Sequence, residues 1–398
     1  MRVLVLYSSY LGTKKASYYD DWLDAFERCD QIDCEAHNIV PSYLKVSNPS
    51  KFGDKKTPDL RMKTSAYEIF YRTYSWFYTK YLKFLNKNHV LWDLSKIRTC
   101  DLIVLLHSTN ADSVLALSAL ENRLKDRKGK LLVLVGNEYC LMPEKISFIQ
   151  NVEADFIGSQ LPRHAADWLY SDCRKSSVLM TPHALNESVY RSLQRPEERR
   201  IGIGFIGDRY GLAIGDIERT EMIEYFGRND FGQGITKDIR MGRKLRLPRD
   251  AYVGFLNSIR GTIGAESGTY YLEKTDRTQK RVEAFLSYHP QATFKDVYDR
   301  FFRDYASPRN GKAISSRHFE AIGTNTCQIL LEGRYNDILK ADVHYISLKK
   351  DFSNIADVVN RFKDKDYCGS MVEQTREYIL DCHTFKHRIL DIVTETFS

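Results

Sequence analysis

The sequence predicts two α/β domains joined by a charged linker, and three observations lead to this prediction. The chain has 398 residues, enough for two domains of about 100–200 residues each. Short apolar runs alternate with helical patterns in both halves, which is typical of parallel sheets built from βαβ units. The pattern breaks between Ser192 and Arg200, where charged residues dominate. We therefore expect one domain over 1–193 and a second over 194–375.

Five β-rich runs in the first half predict a parallel sheet, and helical patterns separate most of them. Ligands bind outside the carboxyl ends of the strands in such sheets. His107 ends one of the runs and Glu138 follows another, so both lie where catalytic groups are expected. The runs are Arg2 to Tyr7, Asp101 to His107, Lys130 to Gly136, Phe156 to Gly158 and Ser177 to Met180, and the helical patterns are Ser17 to Cys29, Ser113 to Asp126 and Leu161 to Tyr170.

The second half opens with the strand Ile201 to Gly207, whose Gly202 to Gly207 also fits the pattern G-x-G-x-x-G. A dinucleotide-binding fingerprint needs a complete strand before its first glycine. Here the glycines lie inside the strand, so we interpret the match as accidental. Further strands are predicted over Ile329 to Leu331 and His344 to Leu348, and helices over Ala313 to Thr324, Ile355 to Phe362 and Met371 to Thr394.

The eight cysteines are scattered without a C-x-x-C pair, which disfavours a disulfide framework and a zinc site. We expect most of them to be buried thiols in a reducing compartment. The apolar runs fall far short of the roughly 20 residues that span a bilayer. The chain also runs directly into the strand at Arg2, without the pattern of a secretory signal. We therefore expect a soluble, cytoplasmic protein.

The formal net charge of +7 is concentrated in one aromatic-rich segment. Between Lys51 and Val90 there are nine basic and three acidic residues, a net +6. Aromatic residues recur there at helical spacing, including Tyr67, Phe70, Tyr74, Tyr78 and Tyr81. One interpretation is a helix whose aromatic face is buried and whose basic back is solvated. The other is an interfacial helix that meets anionic lipid or a lipid-linked acceptor, with contact residues Trp76, Lys80, Lys83 and Lys87. Nucleic acid is disfavoured as a partner because the rest of the chain is nearly neutral.

The densest chemical cluster lies between Arg309 and Gly323. Ser315 and Ser316 follow a basic, glycine-containing loop and cap a predicted helix, whose free N–H groups and dipole favour phosphate. Lys312 and Arg317 add the positive charge that a diphosphate requires. Glu320, one turn further on, is placed to accept hydrogen bonds from ribose hydroxyls. The alternative is an ordinary helix cap followed by a solvated glutamate.

Two further features fit a donor site more loosely. Gly261 to Thr269 is a small-residue segment that we interpret as a loop allowing close backbone approach to a ligand, with Glu266 and Ser267 as its polar candidates. Its alternative is a flexible turn. Arg209 follows the end of a strand, as a phosphate-contacting residue does, and its alternative is a surface ion pair.

These segments also carry a family resemblance. Ser315 to Ala321, Ile329 to Leu331 and His383 to Arg388 resemble the C-terminal half of glycosyltransferases of the family-one/family-four type, in the spore-maturation-like branch. Phe205 to Tyr210 is similar to the first strand and loop of that domain, and Ser177 to Tyr190 to the segment that closes the domain before it.

The resemblance implies the GT-B fold: two facing Rossmann-like domains, a cleft between them, and a C-terminal helix over 376–398 that crosses back. It also implies a nucleotide-sugar donor held by the second domain, an acceptor against the first, and no metal or other cofactor. Glu320 matches the glutamate that contacts the ribose. Lys312 stands where many retaining members carry a second glutamate, so the stereochemical outcome stays open. His107 is the counterpart of a histidine common in the first domain.

The expected activity is therefore transfer of a sugar from a nucleotide-diphosphate donor to an acceptor hydroxyl. If the enzyme inverts, His107 or Glu138 is the candidate base. A role in bacterial cell-surface polysaccharide or glycoconjugate synthesis is expected, with peripheral contact to the inner face of the cell membrane. Two alternatives stay open: a nucleotide-sugar epimerase of the same fold, and a nucleotide- or carbohydrate-binding protein without turnover.

Overall fold

The structure is a computed structural model, and it describes residues 1–7, 18–39, 77, 80, 81, 83, 84, 93–106, 114–232, 235–242 and 245–398. Within these residues the chain forms two parallel β-sheets with helices packed against them. All eight cysteines are free thiols, as expected from their spacing. No helix in the described part of the chain is both long enough and apolar enough to cross a membrane.

The first sheet has six parallel strands in the order β2-β1-β3-β4-β5-β6. The five strands predicted from β-rich runs are confirmed. The sixth, β2, was not predicted, because its sequence is polar and it lies at the sheet edge, where its side chains are only half-buried. The strands are β1 (Arg2–Tyr7), β2 (Asp33–Asn38), β3 (Leu102–Leu106), β4 (Lys130–Leu134), β5 (Phe156–Ser159) and β6 (Ser177–Met180).

Alternate residues of these strands face two separate apolar layers, as the period of a strand requires. Leu4 and Leu6 of β1 point into one layer, whereas Val3 and Val5 point into the other. The stretch Ser113 to Asp126 holds two short helices instead of the single one predicted. The helices of this half are α1 (Tyr18–Arg28), α2 (Leu115–Ser118), α3 (Glu121–Lys125), α4 (Met142–Asn151) and α5 (Arg163–Leu169).

The second sheet has five parallel strands in the order β11-β10-β9-β7-β8. The glycines of the G-x-G-x-x-G pattern lie inside β7, as interpreted from the sequence. A Cβ at Gly204 would lie 2.4 Å from the Ile259 side chain, so this glycine serves sheet packing. The expectation of a loop from Gly261 is wrong for its first four residues, which belong to β9. The strands are β7 (Ile201–Gly207), β8 (Lys237–Met241), β9 (Ile259–Gly264), β10 (Cys327–Leu331) and β11 (Ile346–Leu348).

The predicted single helix from Met371 to Thr394 is two helices, because backbone groups of His383 and Phe385, at their junction, form hydrogen bonds with Leu185. Leu185 donates its N–H to His383 O at 2.9 Å and accepts from Phe385 N at 3.0 Å, which breaks the helix. The helices of the second half are α6 (Glu218–Arg228), α7 (Arg249–Ser258), α8 (Arg277–Tyr288), α9 (Phe294–Phe301), α10 (Ser316–Gly323), α11 (Ile355–Lys363), α12 (Lys365–Cys382) and α13 (Phe385–Phe397).

Helix α13 crosses back to the first sheet, as the fold prediction requires. Phe385 and Ile389 are buried in the same apolar layer as Val3 and Val5. The ring of Phe385 meets that of Trp22 edge-on, with the centroids 4.8 Å apart. The last helix of the chain is therefore part of the core of its first domain.

The segment 265–313 between β9 and α10, here called the arm, carries α8 and α9 and reaches the first domain. Leu272 of the arm is buried in the apolar layer beneath α4 and α5. Both carboxylate oxygens of Asp276 lie 3.2 Å from Met142 N, so this side chain caps the N-terminus of α4. The arm thus joins the two domains on one side of the molecule.

A second set of polar contacts joins the domains at α1. Arg249, at the start of α7, forms an ion pair with Asp21 and a second one with Asp24 at 2.7 Å. Burial raises the pKa of Asp21 to about 6, although Arg249 opposes this shift. Asn186 donates to the same two carboxylates. The cluster ties α1 of the first domain to α7 of the second.

Candidate functional site

A pocket opens in the second domain at the point where the strand order reverses. The chain leaves β7 toward β8 on one side and returns to β9 on the other, and ligands of parallel α/β sheets bind outside the strand ends at such a point. The lining combines β7, the end of β9 and the first turn of α10. It consists of Phe205, Arg219, Tyr252, Thr262, Ile263, Gly264, Ala265, Ser315, Arg317, His318 and Gln328.

Two guanidinium groups share this pocket. The Cζ atoms of Arg219 and Arg317 lie 5.6 Å and 5.8 Å from the ring centroid of Phe205. Arg317 also donates from Nη1 to Ile206 O at 2.8 Å. Burial, followed by the charge of Arg317, lowers the pKa of Arg219. The described lining contains no aspartate or glutamate, and Glu320, whose charge interacts with that of Arg317, lies outside it.

The N-terminus of α10 completes the pocket. Ser315 is the N-cap residue, with the extended backbone typical of that position (φ −116°, ψ 165°). Its N–H donates to Nδ1 of His318 at 3.0 Å. The predicted serine cap is therefore confirmed, with a histidine at the position where a glutamate usually completes the capping box. The helix N-terminus adds free N–H groups and a partial positive charge to the two arginines.

Glu320 lies further along α10 and is not part of the pocket lining. Only 6% of it is exposed, so the alternative of a solvated glutamate is wrong. Burial, followed by the charge of Asp21, raises the pKa of Glu320 to about 7, while Arg317 and a hydrogen bond with Ser316 lower it. The carboxyl group thus lies between the pocket and the polar cluster on α1, and its raised pKa means that it binds a proton more readily than an ordinary glutamate does.

Two of the predicted phosphate-binding cations are already paired with carboxylates. Lys312 is 2% exposed and forms a buried ion pair with Asp216, with Glu218 at 3.7 Å. Arg209 forms an ion pair with Glu224 at 3.1 Å, on the surface, as in the alternative to its donor-binding role. The charge of Lys312 is therefore balanced inside the protein, contrary to the expectation that it faces a diphosphate.

The polar candidates of the segment after β9 support the loops around the site. Glu266 is buried and accepts a hydrogen bond from Tyr335 N at 2.7 Å. Ser267 and Ala313 exchange two backbone hydrogen bonds of 2.8 Å, which joins the two ends of the arm. Ala313 lies two residues before Ser315, so the two ends of the arm are joined next to the N-terminus of α10.

Glu138 lies in the interior of the first domain instead of the cleft. Its carboxylate accepts hydrogen bonds from Ser159 Oγ at 2.6 Å, Tyr170 OH at 2.7 Å and Gln160 N at 2.9 Å. Burial raises its pKa. The side chain is 3% exposed, and its oxygens are used by these donors. The arrangement is that of a structural carboxylate, contrary to its expected role as a base.

Three sequence candidates, His107, Trp76 and Lys87, lie outside the described residues. Lys80 and Lys83 are helical and exposed. Tyr81 belongs to the aromatic face that one interpretation buries, but 40% of it is exposed, contrary to that interpretation. Two neighbouring rings are more exposed still, those of Phe77 and Phe84.

Sequence reasoning missed several residues of the pocket. Arg219 opens the helix after β7, a position that the search for phosphate ligands near the strand end could have included. His318 was treated as part of the motif and not as a polar group in its own right. Gln328 lies inside an apolar strand, where a single amide is the only signal. Its side chain is 3% exposed, and its amide nitrogen has no hydrogen-bond partner among the residues that the structure describes.

Solved structures of other proteins share this architecture at low sequence identity. Sucrose-phosphate synthase from Thermosynechococcus elongatus matches with a TM-score of 0.51 and 10% identity, over 99% of this chain and 98% of that chain. HepE from Anabaena, solved in complex with UDP-glucose, matches with a TM-score of 0.50 and 9% identity, over 99% and 100%.

The N-terminal domain of the Candida albicans trehalose-6-phosphate phosphatase also matches, with a TM-score of 0.50 and 11% identity, over 99% and 96%. No protein-family model and no curated protein matches the sequence. The similarity therefore concerns the fold, and it confirms the prediction made from the sequence. The chain has the two-domain GT-B fold of glycosyltransferases.

Proposed function

We propose that the protein is a glycosyltransferase that moves a sugar from a nucleotide-diphosphate donor to an acceptor hydroxyl. The observation that carries the proposal is the pocket in which Arg219 and Arg317 meet the N-terminus of α10 without a carboxylate. A diphosphate leaving group develops negative charge in the transition state, and fixed cations and N–H groups stabilise that charge. The complex of HepE with UDP-glucose supports a donor of this class.

In the proposed reaction the bond between the anomeric carbon and the diphosphate oxygen breaks, and the oxygen keeps the electron pair. The acceptor oxygen forms the new bond to the anomeric carbon and loses its proton. Arg219 and Arg317 hold the diphosphate, and Glu320, which lies outside the pocket lining, acts on the site through its charge interaction with Arg317. His107 is the proposed base of an inverting reaction, because it is the next residue in sequence after β3, and the strand order of the first sheet reverses between β1 and β3. The buried Glu138 takes no part in this step.

The other sequence candidates take supporting roles in this proposal. The Lys312–Asp216 pair, Glu266 and Ser267 stabilise the loops that carry the pocket. Because two guanidinium groups supply the positive charge, the proposal keeps the metal-independent mechanism that the resemblance implies. Turnover that is unchanged in EDTA is the expected result, and loss of turnover that Mg²⁺ or Mn²⁺ restores would contradict this part of the proposal.

The test of the main proposal is product formation with a panel of nucleotide-sugars and acceptors. Wild-type protein should transfer sugar, whereas Arg317→Ala and Glu320→Ala should each reduce the rate at least tenfold. Arg228→Ala, an exposed change on α6, is the control and should leave the rate unchanged. Near-native turnover of both site variants would contradict the site assignment.

The two alternatives give different results in the same assay. An epimerase converts the nucleotide-sugar in the absence of any acceptor, whereas a transferase hydrolyses it slowly at most. A binding protein without turnover retains the nucleotide-sugar tightly and yields no product across the acceptor panel.

We further propose that the acceptor is lipid-linked or lies at an anionic membrane face, as in cell-surface polysaccharide synthesis. The supporting observation is that the helical residues described in this segment are all exposed: Phe77, Lys80, Tyr81, Lys83 and Phe84. Aromatic and basic residues together favour the interface of anionic lipid. Binding to phosphatidylglycerol vesicles should fall in the double variant Lys80→Glu/Lys83→Glu. The control Lys175→Glu, at an exposed lysine elsewhere in the first domain, should bind as the wild type does.

A further inference from the structure

The two ring nitrogens of His318 have different tasks. Nδ1 lies 3.0 Å from Ser315 N, 3.2 Å from Ser315 Oγ and 3.1 Å from Ser315 O. The carbonyl oxygen already accepts from His318 N at 3.2 Å, whereas the backbone N–H of Ser315 can only donate. We therefore assign Nδ1 as the acceptor of the Ser315 N–H, without a proton. The proton of the neutral imidazole is then on Nε2, because the bond made by one ring nitrogen determines the state of the other.

The imidazole stays neutral at physiological pH. Burial, together with the charges of Arg219 and Arg317, lowers the pKa of His318 to about 4 against the opposing effect of Ser315. His318 is thus a fixed tautomer, with Nε2–H as a donor that carries no net charge.

The second nitrogen faces the pocket. His318 belongs to the pocket lining, and a Cβ built on Gly264, at the end of β9, would lie 3.5 Å from Nε2. The same lining holds Gln328, whose buried amide nitrogen has no hydrogen-bond partner within the described part of the chain. A buried donor without a partner lowers the stability of the folded protein. Its presence here is an independent sign that the pocket is built for a ligand with hydrogen-bond acceptors.

We propose that His318 binds the nucleotide-sugar donor by donating its Nε2–H to a phosphate oxygen held by Arg219 and Arg317. This inference rests on the proposed function and adds a residue to the same site. A neutral donor suits this position, since a third cation would be repelled by the two arginines. In this proposal Nδ1 of His318 accepts the hydrogen bond that caps the first turn of α10, and Nε2–H donates to the phosphate.

Two substitutions separate these tasks. His318→Gln retains a side-chain amide donor that reaches as far as Nε2, and glutamine is also a natural partner in a capping box. His318→Asn is too short to reach the pocket and retains only a group near the position of Nδ1. His387 provides the matched control, because its Nδ1 accepts from Thr384 N at 3.2 Å in the same way at the start of α13. His387→Asn therefore makes the same substitution in a helix cap that lies outside the pocket lining.

The experiment is calorimetric titration of each protein with UDP, GDP and ADP, accompanied by thermal unfolding of each variant. For the nucleotide that the wild type binds, we expect His318→Asn to raise Kd about tenfold, and His318→Gln and His387→Asn to change it less than threefold. The ratio of Kd between His318→Asn and the wild type should be constant from pH 6 to pH 8, because the imidazole does not titrate there.

The possible failures are distinct. If the wild type binds none of the three nucleotides, the proposed function is contradicted together with this inference. If the wild type binds one of them and His318→Asn binds it equally well, only the role of His318 is overturned. Equal weakening in the Asn and Gln variants also overturns it, since only the Gln variant retains the donor.

Discussion

The guanidinium groups of Arg219 and Arg317 contact the same aromatic ring, that of Phe205, at 5.6 Å and 5.8 Å from its centroid. Like charges at short range repel most strongly where water is scarce. The aromatic ring offsets part of this cost through its attraction for cations. The pair is therefore preorganised for an anion, and the protein without ligand retains the repulsion.

Removing either charge should separate stability from binding. We expect Arg219→Met to weaken nucleoside-diphosphate binding by about 10- to 100-fold, since hydrogen bonds to charged groups contribute about 1.5–3 kcal/mol. The free energy of unfolding of the ligand-free protein should not fall, because the repulsion with Arg317 is relieved. Calorimetric titration and urea denaturation measure the two effects. The control is Arg228→Met on the same helix, where the arginine is exposed. Unchanged binding in Arg219→Met would contradict the site.

The unpaired amide of Gln328 should lower the free energy of unfolding of the ligand-free protein while it favours nucleotide binding. The variant Gln328→Met preserves the volume and removes the unpaired amide, which should raise the free energy of unfolding by about 1 kcal/mol. The same change should weaken nucleotide binding if the amide serves the ligand. Urea denaturation and calorimetric titration test both. Gln150→Met, at an exposed glutamine, should leave the affinity unchanged. A Gln328→Met protein that is more stable and binds normally would show that the amide has no ligand.

Glu320 predicts a pH-dependent difference in stability. Its pKa rises from 4.5 to about 7 on folding, so the folded state holds the proton more tightly than the unfolded state does. The stabilisation from this proton is complete below the unfolded value and is lost as the pH rises through the folded value. Relative to the wild type, Glu320→Gln should therefore become more stable from pH 4.5 to pH 8, by up to about 3 kcal/mol. Urea denaturation across this range measures it. Glu377→Gln, at an exposed glutamate of α12, should show no such trend, and a flat difference for Glu320→Gln would contradict the prediction.

Breaking the Lys312–Asp216 pair should lower the free energy of unfolding without directly removing a contact to the nucleotide. Removing one partner of a buried ion pair costs about 3–5 kcal/mol, so Lys312→Met should be strongly destabilised in urea. In the double variant Lys312→Met/Asp216→Asn no unpaired charge remains, and the amide oxygen introduced at position 216 would still accept from Glu218 N as the Asp216 carboxylate does. The double variant should recover much of the stability and bind nucleotide within about threefold of the wild type. A large loss of binding in a stable double variant would instead return Lys312 to the phosphate site.

Strands whose side chains are buried on both faces were predictable from the sequence. All five residues of β3 are buried, and such a strand is a continuous apolar run. The edge strand β2 has no such run, since Asp33, Glu35 and Asn38 interrupt it. The break between α12 and α13 depends on Leu185, which is nearly 200 residues away in sequence. Contacts of this kind are absent from any local pattern.

The candidate site was predictable where a motif marks a helix start and unpredictable where burial decides the role of a charge. The serine cap and Arg317 were found from the local sequence. Lys312 was misassigned because its partner Asp216 lies 96 residues earlier. Glu138 was misassigned because a position after a strand does not reveal the direction of the side chain, which here turns inward to Ser159.

The return of α13 to the first sheet has a consequence for the order in which the chain acquires its structure. Domains generally fold as units during synthesis, the N-terminal one first. Here Trp22 and Val3 obtain their partner Phe385 only after every strand of the second sheet has been synthesised. The first domain thus leaves the ribosome with one apolar layer uncovered, and its completion must wait for the second. A chain that ends after Cys382 should retain this exposed layer, bind a hydrophobic dye and aggregate, even though every residue of both sheets is present.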